Sequence, residues 1–415
     1  MYVFFIELTN RKYIMGMRLA MKKLLVIGAG FLQAFVIKKA RDLGYYVLAV
    51  DGNENAVGKE YAHEFAHINI VDKEACLAYA REKAIDGVMT AATDYGVLSA
   101  AYVAENMDLP GISMNAAELI KNKYRVRKCL FENKVDDSEQ AYEINKNTDL
   151  ESLKHKLVYP VMVKPCDGSG SRGAARVDSP DELISAAKNA IDSSITRRAE
   201  IETFIFGKEY GAESIVINGE ATVLSIMQKD MTAPPYYAEL GHSIPSGLPF
   251  EEKVRDTVKK ALKALGVNFG VVNMDMIITE DGKVFIVDIG ARMGGNLIGS
   301  HIVPLGTGID YLGALIAAAV GDQADLEVKT APSAVSTKIL ALTPGEVVAL
   351  ADFDAIEKEF DVEIVHHLSV GDKITPYRTN LDGCGYIVAT AENACEAKKK
   401  AEKALLYIDG AILRK

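Results

Sequence analysis

The sequence predicts a mixed α/β and α+β fold built from several packed units. In the first third of the chain, short apolar strands alternate with helices, which is the pattern of a parallel α/β sheet. Strands then dominate the middle of the chain, where Asp281-Gly282 marks a hairpin turn. A smaller α+β unit begins at about Ala331. Because the chain has 415 residues, a single hydrophobic core is not expected, and roughly two to four packed units are predicted.

The N-terminal unit opens with a strand, a glycine turn, a helix and a second strand. Leu24 to Ile27 is the first apolar run, and it stops at Gly28-Ala29-Gly30. A helical segment follows up to Leu43, and Tyr46 to Val50 forms the second strand, which closes on Asp51. The alternation continues with a helix at 73–83, a strand at 87–90 and a helix at 96–106.

The rest of the chain divides into a long middle unit and a short last one. The middle unit is predicted to contain helices at 116–132, 251–265 and 310–320, and strands at 159–164, 199–206, 209–217, 221–228, 270–279 and 283–288. A polar stretch, 136–150, is expected at the surface. The last unit is predicted to contain helices at 353–360 and 391–407, and strands at 362–367 and 386–390. The predicted organisation is an N-terminal extension (1–20), an α/β domain (21–114), a middle domain (115–330) and an α+β domain (331–415).

Composition and charge narrow the class of protein. The net charge of −10 argues against a nucleic acid as the main partner, because phosphate backbones are bound by basic surfaces. The five cysteines form no C-x-x-C pair and the seven histidines no H-E-x-x-H motif, which argues against a disulfide framework and a zinc site. No apolar run approaches the roughly 20 residues of a membrane span. We therefore expect a cytoplasmic protein that binds neither nucleic acid nor membrane.

The glycine turn after the first strand offers one functional interpretation. Gly28 and Gly30 begin a dinucleotide-binding fingerprint, and Asp51 stands about 20 residues further on, where a ribose-binding acid is expected. Gln33 occupies the position of the third glycine, so the match is partial. A nicotinamide-dependent oxidoreductase is therefore an alternative, although a glycine turn between strand and helix is needed in any α/β unit.

A lysine and a Gly/Ser-rich loop come together in the middle unit. Val161 to Pro165 is a strand that delivers Lys164, and the segment Asp167-Gly168-Ser169-Gly170-Ser171-Arg172-Gly173 follows directly. Glycines let backbone N–H groups approach phosphate oxygens closely, and the lysine adds a positive charge. The segment lacks the G-K-[ST] ending of a P-loop. It predicts a phosphate-binding loop of another type, with a flexible hairpin loop as the structural alternative.

Two aspartates in the predicted hairpin are the strongest signal of a site. Asp275 and Asp288 lie on strands that Asp281-Gly282 joins, and counting back from the turn brings them near each other. Two carboxylates in an apolar hairpin are costly unless a cation neutralises them. Oxygen ligands of this kind favour Mg²⁺, which can bridge the phosphates of ATP. A structural ion-pair network is the alternative.

The ordered set of these segments resembles the ATP-grasp superfamily, which includes biotin carboxylase, carbamoyl phosphate synthetase and the amino-acid ligases. The resemblance covers roughly Lys22 to Tyr311. It implies an N-terminal pre-ATP-grasp α/β domain, a two-part ATP-grasp domain with a mobile lid at about 135–200, and a small C-terminal α+β unit. It also implies a reaction in which a carboxylate becomes an acyl-phosphate at the cost of ATP and is then attacked by an amine.

Individual residues match the ATP-binding motifs of that family. Asn122-Lys123 matches a lysine that opens a helix, and Glu202 and Glu209 match the two acids on either side of the hinge. Phe204 matches the hinge residue whose backbone hydrogen-bonds the adenine. The resemblance implies that ATP is bound by Lys123, Lys164, Ser169, Gly170, Ser171, Gly173, Glu202, Phe204 and Glu209. The metal, Mg²⁺ or Mn²⁺, is assigned to Asp275 and Asp288.

The substrate residues come from two further segments. Tyr237 to Ser246 resembles the E-x-G-H-x-x-P-S loop of amino-acid ligases, and Arg292 to Asn296 resembles their R-x-G-G segment. Gly290 stands where the family often has the Asn of E-x-N-x-R, so the number of metal ions stays open, and Asp275 replaces the commoner Glu. The resemblance implies that Arg292 and Lys164 are catalytic and that the substrate contacts Glu239, His242, Arg292, Gly294, Gly295 and Asn296.

These inferences predict a ligase that uses ATP and Mg²⁺ to join a small-molecule carboxylate, an amino acid, to an amine. The identities of both substrates stay open, and the resemblance allows a homodimer that no residue here indicates. Three alternatives remain at this point. They are a bicarbonate-using carboxylase of the purine-pathway type, an oxidoreductase that binds NAD at Gly28 and Gly30, and an ATP-binding regulator that has lost catalysis, which Gly290 keeps open.

Overall fold

The computed structural model describes residues 21–139, 141–168, 172–234 and 236–415. The predicted N-terminal extension, 1–20, lies outside these ranges, as do Ser169, Gly170 and Ser171 of the Gly/Ser-rich loop. No helix within the described ranges is both long enough and apolar enough to cross a membrane. The described residues form four sheets: one of eight strands, two of four strands and one of three strands.

The N-terminal part is a parallel sheet between helices, as predicted. Its elements are β1 (Lys23–Ile27), α1 (Phe31–Asp42), β2 (Tyr46–Asp51), β3 (Glu64–His67), α2 (Lys73–Lys83), β4 (Gly87–Met89) and α3 (Val97–Asn106). The strands lie in the order β3-β2-β1-β4 and are all parallel. Strands covered on both faces are continuously apolar, and Leu24 to Ile27 are fully buried. The carboxyl ends of β1 and β4 therefore carry the loops that are free to form a site.

The glycine turn between β1 and α1 is filled by side chains of the protein itself. The carboxylate of Asp51 accepts the backbone N–H groups of Ala29 and Asn53, each at 2.8 Å. The Gln33 amide donates to the Ala91 carbonyl at 2.7 Å, and its Oε1 lies 2.8 Å from where a Cβ on Gly30 would be. Asp51 and Gln33 thus stabilise the turn, which gives the partial dinucleotide fingerprint a structural explanation.

Two helices, α4 (Met114–Ile120) and α5 (Lys123–Glu132), connect the N-terminal sheet to the rest of the chain. The sequence predicted one helix over 116–132, and this prediction was wrong. Asn122 has an extended backbone and its side chain accepts the Arg125 N–H at 3.0 Å, which makes it the N-cap of α5. The break puts Lys123 at the first position of a new helix, and its backbone N–H donates to the Cys166 carbonyl at 2.7 Å.

The next segment forms a small antiparallel sheet, which we name the lid sheet. Its elements are β5 (Tyr142–Asn145), α6 (Leu150–Leu153), β6 (Val161–Pro165), β7 (Ala175–Val177), α7 (Pro180–Ser193) and β8 (Arg198–Thr203). The strand order is β5-β8-β6-β7, and α7 covers one face with Leu183 and Ala187. The sequence did not predict β5 or α7. β5 is an edge strand in which Ile144 alone is fully buried, so its sequence reads as a polar surface segment.

The remaining strands build an eight-stranded antiparallel sheet, which we name the central sheet. Its strands are β9 (Lys208–Ile217), β10 (Glu220–Met231), β11 (Glu239–Ile244), β12 (Gly270–Ile278), β13 (Val284–Gly290), β14 (Ala334–Ile339), β16 (Val362–His366) and β18 (Gly385–Ala391), and they lie in the order β13-β12-β9-β10-β11-β14-β18-β16. The helices of this part of the chain are α8 (Glu251–Ala264), α9 (Val303–Thr307), α10 (Tyr311–Ala319), α11 (Phe353–Phe360) and α12 (Ala394–Ala411). Three short strands lie outside the central sheet: β15 (Gly345–Ala349), β17 (Lys373–Ile374) and β19 (Leu413–Arg414). β17, β15 and β19 form a separate three-stranded sheet.

The C-terminal unit expected from about residue 331 shares the central sheet with the middle of the chain. β14 pairs with β11 in a register that sets Ile244 opposite Val335 and Gly241 opposite Lys338. β18 and β16 then extend the same sheet. The last unit therefore continues the sheet of the preceding one and places its loops beside the strands that carry the predicted site.

The N-cap of α5 gives a first testable prediction. Asn122→Ala removes the acceptor of the Arg125 N–H and should lower the free energy of unfolding by about 1 kcal/mol, measured by urea denaturation. Lys128→Ala on the exposed side of the same helix is the control, and it should change the free energy by less than about 0.5 kcal/mol. Equal effects of the two substitutions would contradict the assigned cap.

Candidate active site

One cavity of about 630 Å³ gathers most of the predicted site residues. Its walls come from the lid sheet, from β9 to β13 of the central sheet, from the loop after β4 and from the C-terminal unit. The predicted residues that line it are Lys123, Lys164, Glu202, Phe204, Glu209, Glu239, Asp275, Asp288, Arg292, Gly295 and Asn296. Residues as distant in the sequence as Leu32 and Tyr386 thus face one space.

Three predicted residues do not line this cavity. Gly173 has φ +74°, and a Cβ there would lie 2.6 Å from the Ser193 Cβ, so the glycine serves close packing against α7. Gly294 packs against Glu213 in the same way, because its N–H donates to that carboxylate at 3.0 Å. His242 is enclosed in the central sheet and is 1% exposed. Burial lowers the pKa of His242 to about 4. The imidazole ring is therefore neutral at pH 7, and it does not line the cavity.

The two aspartates predicted as metal ligands face each other across the hairpin, which confirms their predicted proximity. Asp275 on β12 is the direct partner of Asp288 on β13, and the register shifts just after Asp275. Burial raises the pKa of Asp275, and repulsion from the nearby Glu239 and Asp288 adds to the rise. A divalent cation would relieve this repulsion, so the pair fits Mg²⁺ or Mn²⁺. Within the described residues, however, no three acidic, His or Cys side chains converge as a ready-made metal site.

A buried lysine that the sequence analysis missed lies at the centre of the acidic residues. The Lys229 ammonium is 2.5 Å from a Glu239 oxygen, 2.9 Å from an Asp275 oxygen and 4.0 Å from a Glu209 oxygen. Burial opposes ionisation of Glu239, but the Lys229 ammonium outweighs it and lowers the pKa of Glu239 to about 2. For Glu209, burial prevails and raises the pKa to about 7. Lys229 therefore holds three acidic side chains from three strands.

Lys164 belongs to a second buried network, next to the lid strands. Its ammonium lies 2.6 Å from Glu202, 3.3 Å from Glu200 and donates to the Val287 carbonyl at 2.8 Å. Arg127 also contacts Glu202, at 3.2 Å, and pairs with Asp136 at 3.1 Å. Removing the lysine would leave two buried carboxylates short of a cation. Substitution of Lys164 is thus expected to lower stability as well as to alter nucleotide binding.

The hinge between β8 and β9 forms an apolar slot with polar ends. The Phe204 N–H donates to the Pro160 carbonyl at 3.1 Å, so only the carbonyl of Phe204 is left for an adenine. In the described part of the chain the Ile205 N–H has no partner, which makes it the better donor for a base. Glu202 and Glu209 lie on either side. The apolar side chains of the slot are Met162, Phe204, Ile205, Phe206, Ile277, Phe285 and Val287.

Arg292 is held by an aspartate of the N-terminal unit at the other end of the cavity. Its Nε donates to Asp94 Oδ1 at 3.0 Å and its Nη2 to Asp94 Oδ2 at 3.3 Å, which is a two-point contact. A Cβ on Gly290 would lie 2.8 Å from the Arg292 Cζ. The guanidinium therefore occupies the space of the missing asparagine side chain, which explains physically why glycine stands in that position.

A second group of polar side chains, formed by Glu239, Asn296 and Tyr386, connects the central sheet to the C-terminal unit by hydrogen bonds. The Asn296 amide donates to Glu239, and the Tyr386 hydroxyl donates to the Asn296 carbonyl oxygen at 3.2 Å. The Glu239 N–H donates to Asn380 Oδ1 at 2.8 Å, and Leu381 lines the cavity beside it. Glu239 and Asn296 are therefore fixed in place, and the Lys229 ammonium links Glu239 to Glu209 at the hinge.

Glu213 hydrogen-bonds the R-x-G-G segment, and the sequence analysis did not identify it. It is fully buried and accepts three hydrogen bonds: from the Gly294 N–H at 3.0 Å, the Tyr311 hydroxyl at 2.5 Å and the Asn273 amide at 3.0 Å. The sequence contained only a partial indication of these missed residues. A charged residue inside an otherwise apolar strand, as Glu213 and Lys229 are, indicates a buried partner, but the sequence does not say which one. Asp94 gave no signal, because it lies in a loop.

The buried glutamate beside Lys164 gives a pH-dependent prediction. Burial raises the pKa of Glu200 to about 7 in the folded protein, whereas the unfolded chain ionises near pH 4.3. The folded state therefore binds more protons between these values, and its stability should fall as the pH rises from about 4.5 to about 7. Because Glu209 contributes a slope of the same sign, Glu200→Gln should make the slope shallower without removing it, in urea denaturation series from pH 5 to pH 8. Glu220→Gln, on an exposed strand end, is the control, and parallel curves for wild type and Glu200→Gln would contradict the prediction.

Comparison with known proteins agrees with this geometry. A family model described as ATP-grasp domain matches residues 157–300, and one described as L-amino acid ligase C-terminal domain 2 matches residues 338–409. An uncharacterised protein, y4rH of Sinorhizobium fredii, is 26% identical over 337 residues, which cover 79% of this chain and 68% of that protein. Carnosine synthase 1 of Homo sapiens is 25% identical over 337 residues, which cover 72% of this chain but only 40% of that protein.

A solved structure shares the whole arrangement of the chain. L-amino acid ligase from Bacillus licheniformis superposes with a TM-score of 0.81 at 24% identity, covering 95% of this chain and 99% of that one. At this identity the likeness shows the fold. The segment matched by the ATP-grasp model includes the Lys164 strand, the hinge and both aspartates. The chain therefore contains an ATP-grasp domain over residues 157–300 and an L-amino acid ligase C-terminal domain 2 over residues 338–409.

Proposed function

We propose that this protein uses ATP and Mg²⁺ to activate the carboxylate of an amino acid as an acyl-phosphate and to join it to an amine. The observation that carries the proposal is the convergence of three lysines, an arginine and two opposed aspartates on one cavity with an apolar slot at one end. Such a set can neutralise a triphosphate while keeping a second substrate in line with it. The comparison with L-amino acid ligases supports an amino acid as the substrate class.

The hinge end of the cavity is suited to the adenosine part of ATP. The apolar slot provides contact area for the flat base, and the Ile205 N–H with the Phe204 carbonyl can hydrogen-bond its edge. Glu209 stands where the ribose hydroxyls would follow, and its raised pKa leaves it able to accept or donate a hydrogen bond near neutral pH. Lys164 and Lys123 then lie toward the middle of the cavity, as a phosphate chain would require.

The metal would be held by Asp275 and Asp288. When bound there, Mg²⁺ supplies positive charge that offsets the charge on the phosphates as the terminal phosphoryl group leaves. Gly290 has no ligating group, and the Arg292 guanidinium fills its side-chain space. The chain thus offers its own positive charge where related enzymes offer an amide ligand.

The opposite end of the cavity is suited to the carboxylate substrate. Arg292 keeps N–H groups beyond those used by Asp94, so it can hydrogen-bond a carboxylate oxygen and the oxygens of the acyl-phosphate. Glu239 offers a negative charge to an α-ammonium group, and Asn296 fixes its orientation. In the second step the amine attacks the acyl carbon, the C–O bond to phosphate breaks, and the amine loses its proton. A closed cavity is needed, because water would hydrolyse the acyl-phosphate.

The proposal predicts phosphate release that depends on both substrates. Purified protein with ATP and Mg²⁺ is tested against pools of amino acids, simple carboxylates and bicarbonate, and phosphate, ADP and the condensed product are measured. We expect release in an amino-acid pool, with ADP and a mass equal to two substrates less water. Release with bicarbonate and without amino acids would favour a carboxylase, and ATP binding with no release in any pool would favour a regulator.

A variant of the lid strand tests the roles of the residues. Lys164→Ala should reduce ATP turnover by about 10²-fold or more, because a cation on the phosphates is lost, with circular dichroism confirming that the variant is folded. Lys128→Ala, on the exposed face of α5, is the matched lysine control and should keep full activity. Wild-type turnover by folded Lys164→Ala would contradict the assignment of Lys164.

A further inference from the structure

The cations in the middle of the cavity are attached to the residues that would bind the metal. The Lys123 ammonium pairs with Asp288 Oδ1, and the Lys229 ammonium lies 2.9 Å from Asp275 Oδ1. Both proposed metal ligands thus have a lysine of the chain as their counter-ion. Lys229 is buried, with its side chain 2% exposed, and reaches Asp275 and Glu239 at once.

This arrangement opposes the binding of a free divalent cation. Mg²⁺ binds carboxylate oxygens at about 2.1 Å, so an ion on either aspartate would lie within about 5 Å of the ammonium that shares the carboxylate. At that separation in a buried site, repulsion between the two cations is large. The aspartates are also already neutralised, so the ion would gain little attraction unless the lysines moved away.

A bound nucleotide supplies negative charge that can draw the two lysine ammonium groups away from the aspartates. Lys123 and Lys229 line the same cavity as the proposed phosphate site, and the triphosphate brings several negative charges. Once the ammonium groups turn to phosphate oxygens, Asp275 and Asp288 are left without counter-ions, and the Asp275 side chain is only 27% exposed. The metal carried by the nucleotide then restores their charge balance.

We propose that Lys123 and Lys229 are positioning residues that occupy the metal-binding aspartates until a nucleotide binds, so that the protein takes up Mg²⁺ only together with the nucleotide. This inference rests on the proposed function, since it uses the assignment of Asp275 and Asp288 to the metal. It makes the order of loading a property of the chain: the metal alone does not bind, and the metal–nucleotide complex does.

The test uses Mn²⁺ as the probe and the full-length protein without nucleotide. Binding is measured as loss of the electron paramagnetic resonance signal of free Mn²⁺. Wild type should leave the signal nearly unchanged, whereas Lys229→Met and Lys123→Met should each bind Mn²⁺ about tenfold or more tightly, because a competing cation is gone. Lys128→Met is the control, since that exposed lysine pairs with Glu132 and not with the aspartates, and it should behave as wild type.

A second readout covers variants that fold poorly. Mn²⁺ should raise the melting temperature of Lys229→Met and Lys123→Met and leave that of nucleotide-free wild type unchanged. Tight Mn²⁺ binding by nucleotide-free wild type, or an equal gain in Lys128→Met, would overturn the inference. Wild type is also titrated with Mn²⁺ and a non-hydrolysable ATP analogue while water-proton relaxation is followed. Enhancement is the expected result, and its absence would count against the proposed function itself.

Discussion

The buried ammonium of Lys229 is the interaction on which the site depends. It lies on β10 and reaches acidic residues on the neighbouring strands β9, β11 and β12, so one cation holds together four adjacent strands of the central sheet. Without it, Glu209, Glu239 and Asp275 would stand as uncompensated charges in a buried place. This cluster of carboxylates is therefore compatible with a stable sheet because the lysine compensates their charge.

The N-terminal unit takes part in the site through its loop after β4. Asp94 holds Arg292 by two hydrogen bonds, and the Tyr95 hydroxyl accepts one from Arg172 of the lid segment at 2.9 Å. The Ala92 N–H donates to the Met293 carbonyl at 3.1 Å. One short loop thus contacts both Arg292 and Arg172, so it connects the lid segment to the residues around Gly290.

Sequence patterns predicted what depends on local order, and missed what depends on packing between distant segments. The alternation of strands and helices gave the parallel sheet, and the turn at Asp281-Gly282 with a two-residue period gave the pairing of Asp275 with Asp288. Residues whose role is set by a neighbour from elsewhere in the chain were different. Lys229 and Glu213 could not be assigned partners before the strand order was known, and the direction of the His242 side chain depends on the register with β14. Asn122 shows the local limit, because its capping bond, not helical periodicity, divides the connecting helix.

The continuous central sheet has a consequence for how the protein can be divided. β11 carries Glu239 at its start, and its other neighbour, β14, belongs to the C-terminal unit. A chain ending before Ala334 would leave β11 as an open edge with unpaired backbone groups, and such edges promote intermolecular strand pairing. The last unit therefore cannot be removed or exchanged on its own, because it supplies both the strand that pairs with β11 and the loop whose Asn380 contacts Glu239.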